Sequence, residues 1–369
     1  MAKAVAYETD AGRRYMVRYR KPDGKQTKKR GFKTKREAEA WAATVEVSKQ
    51  QGTFIPEELG RVKVGDLGSA WIRRQSDWKE SYAYTMRSTW WAHVEPRWGK
   101  TAIADLNRVD VEDWVSTLGR SNSVASRCVT ILNGILDDAV SQRLLPINRV
   151  GKVALPRKDP KARVYLTHQQ VADFAAAAGE RGVIIHVLAY TGLRWGELAG
   201  LHGPDIDTVG RRISVNRNAV QVGSKIVVGS PKTHELRTVP VPRFLATKLK
   251  DHIRPGIVFP DGKGGYARSP RASETKRSWW RTAVIDSKIP EVTPHDLRHT
   301  AASLAVQSGA HVKAVQRMLG HKSAAMTLDV YSDLFDSDLD IVADAMEAAR
   351  LSALKQIVPN ACPPGTIHT

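Results

Sequence analysis

Five consecutive residues, His295-Asp296-Leu297-Arg298-His299, put two imidazoles and a guanidinium within little more than one helical turn. Two chemistries want such a set. Histidines four apart share a helix face and can ligate zinc, with His321 of "MLGHK" as a third ligand. An arginine between imidazoles can instead grip a phosphate while the rings donate or move protons near neutral pH. The metal reading meets two objections. Asp296 is one methylene shorter than the glutamate that H-E-x-x-H sites use as base, and a cationic Arg298 between the ligands repels the ion.

The phosphate reading recruits more residues to one job. Arg194 lies in "YTGLRWGEL", among apolar neighbours, and a buried arginine is costly unless paired. Glu197, three residues on, is its expected partner. Lys232, in the turn of "GSPKTHELRTVPV" between two strand-like runs, can reach into a cleft. Tyr331, in "MTLDVYSDLF", follows His321 on the next expected helix. A phenol ionises near about 10, so it attacks only with positive charge or a base beside it. Two arginines supply forked donors for non-bridging oxygens, the main requirement of phosphoryl transfer. No P-loop appears.

Local signals mark the elements that position these groups. Thr293 is an N-cap, Pro294 takes the first helical position and Asp296 sits at the positive end of the helix dipole. Leu297, Ala301, Ala302, Leu304 and Ala305 pack this helix, so Arg298 is held near its start. Thr167 opens another helix, which "GVIIHVLAYTG" is expected to continue. "RRISVN", "AVQVGSKIVVG" and "LRTVPVP" read as strands, and helices return from "RFLATKLKDHI". Residues 160–355 are thus α+β in class, mostly helical with one small antiparallel sheet.

Upstream lie two smaller units. In residues 1–55, "RRYMVRYR" alternates apolar and basic, "KPDGK" is a turn and "QTKKRGF" returns: a hairpin or three-stranded sheet. Thr34-Lys35-Arg36-Glu37 is a capping-box start, and Ala38, Trp41, Ala42 and Val45 share one face of the helix it opens. Arg18, Arg20, Lys28, Lys29 and Arg30 crowd the strands. Either they form a face that enters a DNA groove or they are a solvated edge that resists aggregation, and their single sign favours the groove. Residues 50–61 are a Gly/Pro linker. Residues 62–147 are helical. Their clearest helix spans "SNSVASRCVTILNGILDDAVSQR", with Val124, Cys128, Ile131, Leu132, Ile135 and Val140 as its buried stripe and Cys128 therefore in the core. A second linker, 146–165, holds three prolines and six Lys/Arg against one Asp. Arg157, Lys158 and Lys161 in it are placed to follow a phosphate backbone.

The whole chain agrees. At 369 residues it has room for two or three domains. Its net charge of +19 calls for a polyanion, nucleic acid first and an acidic membrane surface second. Two distant cysteines make neither a disulfide framework nor a zinc site, which suits a reducing cytoplasm. No apolar run approaches the roughly 18 residues of a membrane span, and the N-terminus lacks a signal-peptide h-region.

Taken in order, Arg194, Lys232, "HDLRH" with His295 and Arg298, "LGH" with His321, and Tyr331 resemble the tyrosine recombinase (phage-type integrase) family. The resemblance extends over nearly the whole chain. "VEPRWGKTAIADLNRVDVEDWVSTL" is similar to that family's core-site-binding domain, and residues 4–55 to its arm-site-binding domain. Gly196 and Asp333 depart from it, where relatives often carry a bulkier or hydroxyl residue and a histidine. The resemblance implies that Tyr331 attacks a DNA phosphodiester and stays joined to the 3′ phosphate. Arg194 and Arg298 clamp the non-bridging oxygens, with His321 as a further donor. Lys232 is the acid for the 5′ oxygen, His295 a proton acceptor or hydrogen-bond partner, and Glu197 orients the site. His234 and His299 are expected to pack or cap. The implied partners are double-stranded DNA at core-type and arm-type sites, a four-subunit synapse joined through the tail after Tyr331, a host bending protein and an excision factor. Residues 356–369 read as a flexible end. Neither metal nor other cofactor is implied. The rival readings are a non-catalytic DNA-binding protein on the same fold and a type IB topoisomerase-like nicking-closing enzyme.

Overall fold

The structure, a computed structural model, describes residues 3–21, 24–118, 122–155, 163–230, 236–270, 278–323 and 339–355, with 325 and 328. Lys232, His234, Tyr331, Asp333, Arg157, Lys158 and Lys161 lie outside the described residues, as does 356–369. The chain forms two compact units, 1–160 and 161–369. No helix among the described residues is long and apolar enough to cross a membrane.

The first unit opens with three antiparallel strands in sequential order, β1 (Lys3–Thr9), β2 (Gly12–Arg20) and β3 (Gln26–Phe32). Helix α1 (Lys35–Gln50) covers one face. It starts at the expected capping box, with Thr34 Oγ1 accepting from the Glu37 N–H and Glu37 returning the bond. Val17, Tyr19, Ala38, Ala42 and Val45 form the small core, with Trp41 edge-on to Tyr19. Alternation along the strands divides the charges. Val17 faces α1, and so does its cross-strand partner Lys29, whose ammonium lies over the Trp41 ring and pairs with Glu57. Lys29 therefore does not join the outward cations. Lys3, Arg14, Arg18, Arg20, Lys28 and Arg30 do share the opposite face, where the strands place no carboxylate. The linker before the next domain is not loose. A 3₁₀ turn at Glu57–Arg61 is clasped to the sheet by Lys29–Glu57 and Lys21–Glu58 pairs.

The rest of this unit is helical: α2 (Val64–Arg74), α3 (Glu80–Thr89), a π turn at Trp90–Val94 running into α4 (Glu95–Trp98), α5 (Arg108–Thr117) and α6 (Asn122–Ser141). Ala125, Cys128, Ile131, Leu132 and Ile135 are the buried stripe of α6, while Val124 and Val140 only flank it. Burial pushes the Cys128 thiol up to about 11, so it is an inert core group. Gly134 is required here, because a Cβ would stand 2.1 Å from the Trp71 ring of α2. The first half of the second linker differs from expectation. Val150 and Val153 are buried in this helical core, and the Asn148 amide holds the turn to Asn133 and Asp137.

The second unit begins with α7 (His168–Ala177) and α8 (Gly182–Thr191). These are separate helices rather than one continuous one. Gly179 adopts φ +58°, a left-handed conformation that ends α7, and a 3₁₀ turn intervenes. Helix α8 is apolar on every side and is buried accordingly. Then come α9 (Trp195–Ala199), β4 (Ile206–Asp207), β5 (Arg212–Val215), β6 (Asn218–Val222), β7 (Lys225–Gly229), β8 (Arg237–Pro240) and α10 (Arg243–Lys250). The expected single sheet is two: β4-β5-β8, and the hairpin β6-β7 inserted between β5 and β8. The stretch holding Lys232 thus connects strands of different sheets. Helices α11 (Trp279–Asp286), α12 (Pro294–Gln307), α13 (Val312–Leu319) and α14 (Leu339–Lys355) follow. The α+β class holds, with the core between α7, α8, α11, α12 and the three-stranded sheet.

Candidate active site

Two left-handed glycines end helices and release the groups that follow. Gly192 (φ +65°) closes α8, and Leu193-Arg194 lead into α9 with Arg194 as its N-cap. Gly320 (φ +65°) closes α13, and His321 comes next. A Cβ on Gly192 would stand 2.6 Å from Leu319 Cδ2, so the two helix ends meet through the space a side chain would fill.

Glu197 anchors the first arginine. Its carboxylate, 1% exposed, accepts the Arg194 backbone N–H at 2.9 Å and Arg194 Nη1 at 2.8 Å. It also receives a cation the sequence reading did not assign. Arg237 of β8 donates Nη1 to Oε1 at 3.0 Å and Nη2 to Oε2 at 2.6 Å. Burial alone would raise the Glu197 pKa, but the hydrogen bonds and charges of Arg237 and Arg194 bring it down to about 2. The signal for Arg237 was its register: it alternates with buried Val239 and pairs across from buried Val215, so it shares their inward face. Glu197→Ala leaves Arg237 buried without a counter-charge. A loss of about 3–5 kcal/mol of unfolding free energy is expected in a denaturant titration. The depressed pKa fixes the sign with pH: this stabilisation is complete above the ordinary carboxylate range and is lost as pH falls toward about 2.

Arg298 is buried at 2% exposure, one turn into α12, behind the expected N-cap Thr293, which with Asp296 forms a capping box. It donates Nη1 to the Gly192 carbonyl at 2.6 Å and Nη2 to the Leu319 carbonyl. It thereby bridges the two helix ends that deliver Arg194 and His321. His321 is half-buried. Burial first, then the charges of Arg298, Arg194, His299 and Arg237, bring its pKa down to about 4. His299 is held near the same value by burial and by His295, Arg163 and Arg298 against the pull of Asp296. Both rings are therefore neutral at physiological pH. His295 is exposed at the start of α12, with its ring edge-on to His299 at 4.9 Å between centroids.

The structure thus brings Arg194, Glu197, Arg298 and His321 together. It adds Arg237 and brings in His299, which was expected only to pack or cap. Arg194 and Arg237 pair with one carboxylate, and with Arg298 beside His321 the site holds an excess of two positive charges suited to an anion. The Asp296 carboxylate is engaged with Thr293, accepting both its N–H and its hydroxyl. Among the described residues no three His, Cys, Asp or Glu side chains gather as a metal cage. The departure at Gly196 has a steric reason, since a Cβ there would lie 2.2 Å from Asn218 Oδ1 and 2.9 Å from the Ala219 carbonyl of β6.

Comparison with known proteins finds integrases. Residues 165–338 match the phage integrase family, and residues 7–49 match an arm DNA-binding domain. The integrase of Mycobacterium phage L5 is 28% identical over 335 residues, covering 85% of this chain and 89% of that protein. The ICEBs1 integrase of Bacillus subtilis (strain 168) is 24% identical, covering 69% of this chain and 74% of that one. Among solved structures, the Tn1549 transposon integrase in complex with a circular intermediate DNA matches with a TM-score of 0.63 and 21% identity over 73% of this chain and 95% of that one. A lambda integrase dimer bound to a core site matches with a TM-score of 0.56 and 17% identity over 88% and 93%. At these identities the structural likeness speaks for the fold.

Proposed function

We propose that the chain is a tyrosine recombinase of the phage integrase family, which integrates or excises a mobile element by cutting and rejoining DNA at attachment sites through a covalent 3′-phosphotyrosine. The observation that carries this reading is the convergence of Arg194, Arg298 and His321 on one net-positive site.

In the proposed reaction the Tyr331 oxygen attacks the scissile phosphorus and gives up its proton to His295 or to water held there. Arg194 and Arg298 donate to the non-bridging oxygens, whose charge grows in the transition state, and the neutral His321 adds a further donor. The phosphorus–5′ oxygen bond breaks, and Lys232 protonates the departing oxygen. A 5′ hydroxyl of the partner duplex then attacks the phosphotyrosine, restoring the phosphodiester and the phenol. The covalent intermediate conserves the bond energy, so the cycle as written consumes no ATP. The helical domain and the cations Arg157, Lys158 and Lys161 hold the core site. The synapse contains four copies, with a host bending protein and an excision factor as further partners, in the cytoplasm of a bacterial host.

The test is a nicked suicide duplex carrying the element's own attachment site. A covalent protein–DNA adduct that survives EDTA and denaturant is expected. No adduct, or relaxation of plasmid lacking any attachment site at the same rate, would overturn the reading in favour of a binding protein or a topoisomerase.

The sheet face of the N-terminal domain is assigned to arm-type DNA on its one-sign charge. Arg18→Ala and Lys28→Ala should each weaken arm-site binding and reduce the slope of log K against log salt by about 0.9 for each phosphate no longer neutralised. Lys29→Ala should change that slope less, because its ammonium already pairs with Glu57. Equal slopes for all three variants in a salt titration would argue against this face.

A further inference from the structure

Arg237 lies on a strand, outside the set of residues expected to touch DNA, yet it joins the two halves of the site. Its Nη1 and Nη2 engage both oxygens of Glu197, while its Nε donates to the Met318 carbonyl at 3.2 Å in the last turn of α13. It also lies against the turn that carries His321: a Cβ at Gly320 would be 2.9 Å from Arg237 Cδ and 3.1 Å from Nε. Its side chain is 9% exposed and that of Glu197 is 1% exposed. One guanidinium thus ties the carboxylate that anchors Arg194 to the helix end that presents His321.

We propose that Arg237 is a positioning residue for strand cleavage, which occupies the Glu197 carboxylate so that the charge and outer donors of Arg194 remain available to the scissile phosphate. The inference rests on the recombinase reading of the site. The charge count carries it. Glu197 and Arg237 cancel, leaving Arg194 and Arg298 as net positive charge. Without Arg237 the carboxylate has Arg194 as its remaining ion-pair partner, and a guanidinium fork closes bidentately on a free carboxylate. Arg194 would then turn its donors and its charge inward. Stability alone is a weak reason for such a group, since buried ion pairs are often no better than apolar packing.

Single-turnover cleavage of the suicide duplex tests this in four proteins: wild type, Arg237→Met, Arg237→Lys and Arg237→Met with Glu197→Gln. Arg237→Met should cleave about a hundredfold more slowly, the effect of displacing a reacting group by about an ångström. Arg237→Lys should recover part of the loss. So should the double variant, in which no carboxylate remains to capture Arg194. Wild-type speed in Arg237→Met overturns the inference, as does a loss in a folded variant that Glu197→Gln does not relieve. Should Arg237→Met not fold, the double variant carries the test. It must still cleave, but more slowly than wild type because the Met318 carbonyl has lost its donor. Wild-type speed or complete inactivity in a folded double variant overturns the inference. Cleavage by the wild type in these cases leaves the recombinase reading intact. No cleavage by the wild type sinks that reading and this inference together.

Discussion

Tyr331→Phe is expected to give a protein that folds and binds its attachment site but never becomes joined to it. The substitution removes one oxygen. If that oxygen is the nucleophile, its loss costs on the order of 10⁶ in rate. The site supplies what a phenol needs in order to attack near neutral pH, an excess of positive charge from Arg194, Arg237 and Arg298 over Glu197. Two measurements on the same duplex separate chemistry from binding. Gel mobility shift should match wild type, while denaturing electrophoresis should show no adduct. An adduct that persists in the variant would assign the nucleophile to another residue.

Arg298→Ala is expected to fail twice, in stability and in cleavage. Its guanidinium is buried and donates to the Gly192 and Leu319 carbonyls. Removing it strands two acceptors, at about 1–3 kcal/mol each, and leaves a cavity between the helix ends. In the proposed reaction it also deletes donors for the phosphate, where even a single missing donor costs about 10²–10³ in rate. Cleavage should therefore fall by at least about a thousandfold even under conditions where the variant remains folded. Arg298→Lys should not rescue it, because one ammonium on a flexible stem cannot serve both carbonyls and a phosphate. A third readout isolates the electrostatics: the His321 pKa, held at about 4 partly by the Arg298 charge, should rise in Arg298→Ala when followed by NMR titration. Cleavage within tenfold of wild type would remove Arg298 from the reaction.

Much of the site could be read from the chain because its parts are set by local interactions. The capping boxes at Thr34, Thr167 and Thr293 close within three residues, so a short window of sequence contains both partners. Glu197 is likewise three residues from the arginine it anchors. The apolar stripe of α6 and the burial of Cys128 follow from helical period alone. The assignments of Lys232 and Tyr331 come from motif order, and the described residues do not include them.

The tertiary structure decided what depends on distant partners. Arg237 lies 40 residues from Glu197, and Arg298 lies 106 from Gly192, so no periodicity or cap could have paired them. Lys29 was one of five strand cations until pairing with β2 fixed its face and Glu57 claimed its charge. The single expected sheet became two because β8 pairs back to β5 past an inserted hairpin, a choice of partner that strand propensity does not encode. Residue types and their spacing determined which groups could grip a phosphate. Only the packing of α8, α12, α13 and β8 around two left-handed glycines decided that they meet, because a buried charge is held by whichever neighbour the fold brings within hydrogen-bond reach.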